Sequence, residues 1–317
     1  VIVIVSAIVG NVLVCIAVCI SSSLRRATSS YFIFSLALSD IGTASLSMPF
    51  DLEALTLSGC WPKGRGEGLC IVWTVTYLIT VPTSILNLFA LSVDRYKTLR
   101  DPWDRFKESP SMTPRRAVAI IVFIWVYCLL FALVPVLGVQ YYGPQTLLYG
   151  RCIFNISPTT SMVSSFLNFY LPMFAMCWIY YRIYQIAHTQ YNIPTGLEKH
   201  DYSIVKPTSS LSQIGADKKS GIRKKRYRVF VKNTKAARTI AIIVSAYLTC
   251  WVPFTTISIV VNLCEGPCWD AIPNAVWAVL MLVGYLNSAL NPLLFSHQNP
   301  HFRRAYRRML RALCSCC

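Results

Sequence analysis

Charge is what this chain has least of. Only 14% of its 317 residues are Asp, Glu, Lys or Arg, where a soluble protein carries about a quarter. That excludes the two soluble domains its length alone would suggest. Acids are few, 13 against 30 basic residues for a net charge of +17. Histidine is scarcer still, and His188, His200, His297 and His301 all fall outside the apolar runs. No nucleophile–base pair is therefore left inside those runs for intramembrane hydrolysis. The 13 cysteines contain no Cys-x-x-Cys pair matched by a second, so they are not a zinc set. No nucleic-acid module accompanies the basic residues, and neither repeat symmetry nor a helix broken at mid-membrane points to a transporter or channel. No signal peptide is visible. Val1 opens directly in apolar residues, and only ten residues precede Asn11. The expectation is a first helix truncated at its outer end, with an extracellular N-terminus before it.

Long apolar runs are what the chain has instead. Seven occur, at about 1–21, 30–56, 67–93, 117–138, 160–187, 236–262 and 271–295, each near the roughly 20 residues that span a bilayer. The predicted fold is an all-α membrane protein: a seven-transmembrane helix bundle over 1–295, followed by an amphipathic helix and Cys-rich tail over 296–317. A third inner loop over 188–232, rich in Ser and Lys, reads as partly disordered. With seven spans the loops alternate sides. One side holds 27 of the 30 basic residues, and the other holds only Lys63, Arg65 and Arg151. The positive-inside rule makes the basic side cytoplasmic, where it also attracts anionic membrane lipid.

Polar residues inside the runs mark the working positions. Asp40 lies in mid-membrane, where an acid costs about 3 kcal/mol on insertion scales, so it is either functional or satisfied by structural hydrogen bonds. Asn11 needs a partner across a helix interface. The third run, Cys70 to Tyr96, covers 24 steps to Asp94, roughly 36 Å of helix. Within it Tyr77, Ser84 and Arg95 are seven and eleven apart, hence on one face. Pro49 and Pro253 are predicted to kink their helices. Asp51 at the outer mouth is either a solvated rim acid or part of a site. Trp103 beside Pro102 on an inner loop is a membrane anchor or a partner contact. Cys60, Cys70, Cys152, Cys264 and Cys268 fall outside the cell. The expected disulfides are Cys70–Cys152 and Cys264–Cys268, although sequence does not settle connectivity. Asn155-Ile156-Ser157 is a glycosylation sequon on the outer side. Cys314, Cys316 and Cys317 are palmitoylation candidates or free thiols.

Asn11, Leu36 to Asp40, Cys70 with Asp94-Arg95-Tyr96, Trp125, Pro172 with Tyr180, Cys250-Trp251-Val252-Pro253 and Asn291-Pro292 stand in order, one set per run. In these the chain resembles the rhodopsin-like (class A) G-protein-coupled receptors, and the match covers essentially its whole length. The resemblance implies a multi-pass plasma-membrane receptor, not an enzyme, which passes the binding of an extracellular ligand to a heterotrimeric G protein and to arrestin. It implies an allosteric sodium ion, with no other metal or cofactor, held by Asp40, Ser84, Asn287, Ser288 and Asn291. The oxygen donors of that set suit a hard cation. It assigns Asp94, Arg95, Tyr96, Pro102, Trp103, Tyr180 and Tyr247 to the G-protein switch, with Ile85 and Pro172 beside Tyr247, where the family usually has Phe. Ligand contacts would be Asp51, Tyr77, Ser164, Ser165, Asn168, Trp251, Phe254 and Tyr285.

Three departures bear on mechanism. The last motif ends in Phe295 where Tyr is usual, which weakens a water-bridged link to Tyr180. Asn233 replaces an inner-end Glu, which removes a latch on Arg95 and is expected to raise basal activity. Lys235 to Thr239, the Trp251/Phe254 pair, Ser164 with Ser165, and Tyr285 resemble the amine receptors. Yet Tyr77 stands where their ammonium-binding Asp belongs, with Asp51 a possible substitute. A small amine, another small molecule and a peptide all stay open as ligands.

Overall fold

The computed structural model describes residues 1–56, 67–101, 112–136, 147–148, 151–152, 158–191, 210–264, 271–298 and 300–314. Cys60, Pro102, Trp103, Asn155, Cys268, Cys316 and Cys317 lie outside the described residues, as do the side chains of Asn233, Lys235 and Cys314.

Among the described residues, seven helices are long and apolar enough to cross a membrane: Ile2–Ile20, Thr28–Glu53, Gly68–Arg100, Pro114–Val134, Ser161–His188, Ala237–Val261 and Ala275–Ser296. They follow the seven apolar runs closely, because in hydrocarbon a backbone must satisfy its own hydrogen bonds and a helix does so within one segment. The helix carrying the sixth span begins earlier, running unbroken over Ser210–Leu263. The second half of the basic inner loop is therefore helical. A further helix, Pro300–Cys314, follows the seventh span. Its basic and apolar residues alternate as expected of a helix lying on the inner membrane surface, and Phe302 and Ala305 are its buried anchors.

The third span is the axis of the bundle. It packs against the second, fourth, fifth and sixth, while the first span closes the ring against the second and seventh. The second and third spans are 61% and 56% buried over their most apolar windows, and the fourth and fifth only 22%. Asp40 and Ser84 sit on the two most enclosed spans, and the fourth and fifth turn Val122, Phe123, Leu130 and Phe174 towards lipid. Trp125 ties the fourth span inward by donating its indole N–H to Ser35 Oγ at 2.9 Å. Outside the membrane a two-residue hairpin, Leu147–Leu148 with Arg151–Cys152, brings Cys152 to Cys70, and the two form a disulfide. Cys264 is also disulfide-bonded, to a partner outside the described residues.

Two prolines bend the bundle in the same way. Proline lacks an N–H and its ring crowds the carbonyl four residues earlier, which for Pro49 is Ser45 and for Pro172 is Asn168. A π-helical turn is centred on each of these residues, over Thr43–Ser47 and over Phe166–Tyr170. One wider turn takes up the missing bond without a break in the helix. It also re-aims the outer third of each span, where Asp51 and Ser164 sit.

The first and seventh spans meet at a glycine, as membrane helices do where backbones approach closely. A Cβ built on Gly10 would lie 2.8 Å from Pro292 Cγ. Gly10→Val is expected to separate the two helices and cost about 1–3 kcal/mol. This would appear as a lower melting temperature of the detergent-purified protein, and an unchanged temperature would mean that the contact can yield.

Candidate functional site

Three groups of polar residues are threaded on the third span. The central one surrounds Asp40, which is 1% exposed. Its Oδ1 accepts from Ser288 Oγ at 2.9 Å and from Ser84 Oγ at 3.4 Å, and its Oδ2 accepts from Asn291 Nδ2 at 2.8 Å. The expected members therefore do meet. Asn287 is buried beside them. Sequence reasoning missed Ser39, whose hydroxyl is 2.8 Å from that of Ser84, and the Thr43 to Thr80 bond one turn further out at 2.8 Å. Ser39 adjoins Asp40, and Thr80 precedes Ser84 by one turn on the same face, so spacing could have found both. Asn11 has its partner across a helix interface: its amide donates to the carbonyls of Ala7 and Ser288, both at 2.9 Å.

This cluster fits a hard cation. Its donors are a carboxylate, hydroxyls and amide oxygens, with no sulfur or imidazole. The buried Oδ1 atoms of Asn287 and Asn291 have no hydrogen-bond partner among the described residues, so both oxygens are available to such an ion.

The outer group lies at the extracellular mouth. Asp51 is half-buried rather than a solvated rim acid. It accepts a hydrogen bond from the Tyr285 hydroxyl of the seventh span, and the Trp73 indole faces the same carboxylate. Trp73 was not among the residues singled out, although it precedes Tyr77 by one turn. Tyr77 is 7% exposed, with its ring between Trp73 at 6.5 Å and Trp251 at 6.2 Å. Trp251 forms the floor, edge-on to Phe254 at 5.9 Å and near Phe169 at 6.3 Å. Its indole rests against span seven, where a Cβ on Gly284 would come within 3.1 Å. Phe254 in turn meets Trp277 at 6.0 Å. Of the fifth-span candidates, Ser164 and Ser165 are half-buried. Asn168 is fully buried, donating to the Ser164 carbonyl at 3.0 Å.

The inner group is closed. Arg95 pairs with Asp94, both largely buried. Thr28 Oγ1 donates to Asp94 Oδ1 at 3.4 Å, and Thr98 Oγ1 donates to the Asp94 carbonyl at 2.8 Å. Leu99, Ile179, Ile183 and a fully buried Ala237 pack together here and join the ends of the third, fifth and sixth spans. The Tyr180 hydroxyl is 3.1 Å from Ser92 Oγ, and the Tyr96 ring lies 6.4 Å from Trp178. Phe295 stacks on Phe302 at 5.9 Å, so the ring that lacks a hydroxyl anchors the surface helix. Tyr247 lies one turn inward of Trp251 with its ring 6.3 Å away, in one core with Ile85, which adjoins Ser84 of the central group.

A family model described as 7 transmembrane receptor (rhodopsin family) matches residues 10–295. Among curated proteins, the chain is 33% identical to "Octopamine receptor beta-1R" of Drosophila melanogaster, over 98% of this chain and 60% of that protein. It is 30% identical to a "D(1)-like dopamine receptor" of Takifugu rubripes over 95% and 66%, and 31% identical to the "D(1) dopamine receptor" of Carassius auratus over 97% and 85%. The chain thus spans three fifths to two thirds of the length of the first two.

Ser288→Ala would take one of three side-chain donors from a buried carboxylate, a loss of about 1–3 kcal/mol. Thermal unfolding of the purified protein is expected to shift down accordingly, and no shift would show that Asp40 is satisfied without Ser288.

Proposed function

The chain belongs to the rhodopsin family of seven-transmembrane receptors, and from that premise we propose that it is a plasma-membrane receptor whose extracellular ligand is a small amine and whose inner partner is a heterotrimeric G protein. The observation that carries the ligand class is the half-buried Asp51 held against Tyr285. A carboxylate taken out of water beside three aromatic rings suits a cation, which gains both an ion pair and ring faces. Asp51 does from the second span what an acid at the Tyr77 position does in amine receptors. The relatives named for octopamine and dopamine support the same class. Ser164, Ser165 and Asn168 would meet the far end of the ligand, with Trp251 and Phe254 beneath it.

The ligand acts as an agonist by preferring the open arrangement. Pressure on Trp251 moves the sixth span on its Pro253 hinge, Ala237 leaves the Leu99–Ile183 cluster, and Arg95 exchanges Asp94 for the G protein. Arrestin would use the same opening, and the basic face of Pro300–Cys314 would rest on anionic lipid. A sodium ion bound by Asp40, Ser84, Ser288, Asn287 and Asn291 would neutralise the buried acid and hold the closed form.

Two outcomes test this reading. Asp51→Asn should weaken the potency of an amine agonist about tenfold or more, the scale of a desolvated charge pair. Retained potency would move the anchor elsewhere and favour a peptide or an uncharged ligand. Ala237→Phe overfills the closed inner end and is expected to raise ligand-free nucleotide exchange on the G protein. Exchange equal to that of the unmodified receptor would show that this contact is not the closure.

A further inference from the structure

Tyr247 is 1% exposed and its hydroxyl has no hydrogen-bond partner among the described residues. Leaving a buried hydroxyl unpaired is costly, and a phenylalanine would fill the same volume without that cost. Two other buried groups close to it are also unpaired, the amide oxygens of Asn287 and Asn291 on the seventh span. One is a donor without an acceptor, and the others are acceptors without a donor.

Helix geometry puts Tyr247 between the levels of Asn287 and Asn291. The sixth and seventh spans run antiparallel and pack together, and Trp251 lies against Gly284. Tyr247 is four residues from Trp251 towards the cytoplasm, about 6 Å along the axis. Asn287 and Asn291 are three and seven residues from Gly284 in the same direction, about 4.5 and 10.5 Å. At those spacings they share the face that Gly284 turns to Trp251. Asp40 holds Asn291 at 2.8 Å.

We propose that the Tyr247 hydroxyl is a positioning group for activation: it is without an acceptor while the inner end is closed, and it donates to the amide oxygen of Asn287 or Asn291 when the sixth span turns. The bond gained in the open form and the cost carried in the closed form act in the same direction. Both shift the equilibrium towards the open arrangement and raise basal signalling. The inference rests on the receptor reading above and adds to it the side chain that sets the balance.

The test uses the full receptor in nanodiscs, with melting temperature and ligand-free G-protein nucleotide exchange as separate readouts. Tyr247→Phe is expected to raise the melting temperature, because the closed form loses an unpaired hydroxyl. It should also lower basal exchange about fivefold or more. In an Asn287→Ala, Asn291→Ala background, the same substitution should change exchange much less, since contacting partners are not additive. An unchanged or lower melting temperature would mean the hydroxyl is already satisfied, for example by water, and overturns the proposal. So does undiminished exchange, or an equal effect in the double-alanine background. A wild type that drives no exchange on any G protein fails differently: it removes the receptor reading itself, and the coupling with it.

Discussion

A carboxylate in the middle of a membrane has to be surrounded by donors or a counter-ion, because hydrocarbon offers it neither. Asp40 meets that condition with side chains from the third and seventh spans, Ser84, Ser288 and Asn291. Asn11 extends the tie to the first span through the Ser288 carbonyl. Three separate spans are thus held to the second through one charge. Lipid-facing apolar packing supplies no comparable directionality, since acyl chains are as apolar as leucine. The arrangement of the rest of the bundle follows from this one constraint, including the depth at which Trp251 rests on Gly284.

The third span converts that constraint into a mechanism. Its outer third carries Tyr77 against Trp251, its middle carries Ser84 on Asp40, and its inner end carries Arg95 on Asp94. A helix in contact with four neighbours moves little, so change has to occur in the spans around it. The sixth is suited to move. It holds Pro253, it packs the small Ala237 against Leu99, Ile179 and Ile183 at its inner end, and the hydroxyl of its Tyr247 has no partner among the described residues. The π turns before Pro49 and Pro172 supply a different adjustment, turning Asp51 and the fifth-span serines to the aim they have at the outer mouth.

Much of the site was legible because the membrane makes polar residues conspicuous. Asp40 and Ser84 stood out against apolar neighbours, the family resemblance added Ser288 and Asn291, and Asp40 does meet the other three. The helical face through Tyr77, Ser84 and Arg95 is the buried one. Less legible were partners that are backbone atoms, such as the Ser288 carbonyl for Asn11, and partners whose type is common in any helix, such as Ser39, Thr43 and Thr80. Trp73 carries no signal of its own in the sequence, because aromatic residues are common near membrane interfaces. The pairing of Asp51 with Tyr285 could not be read at all, because the two are 234 residues apart and meet only once a π turn has rotated the end of the second span.

The sequence by itself determined the number of spans, their orientation and which of them carry charge. Those properties depend on the length of apolar runs and on the sidedness of Lys and Arg, and a bilayer reads both locally. Tertiary structure alone decided that Asp51 is half-buried against Tyr285, that Phe295 packs on Phe302, and that the Tyr247 hydroxyl has no partner among the described residues. Each depends on the relative rotation and depth of helices distant in sequence, which close packing at positions such as Gly10 and Gly284 sets to within a fraction of a turn.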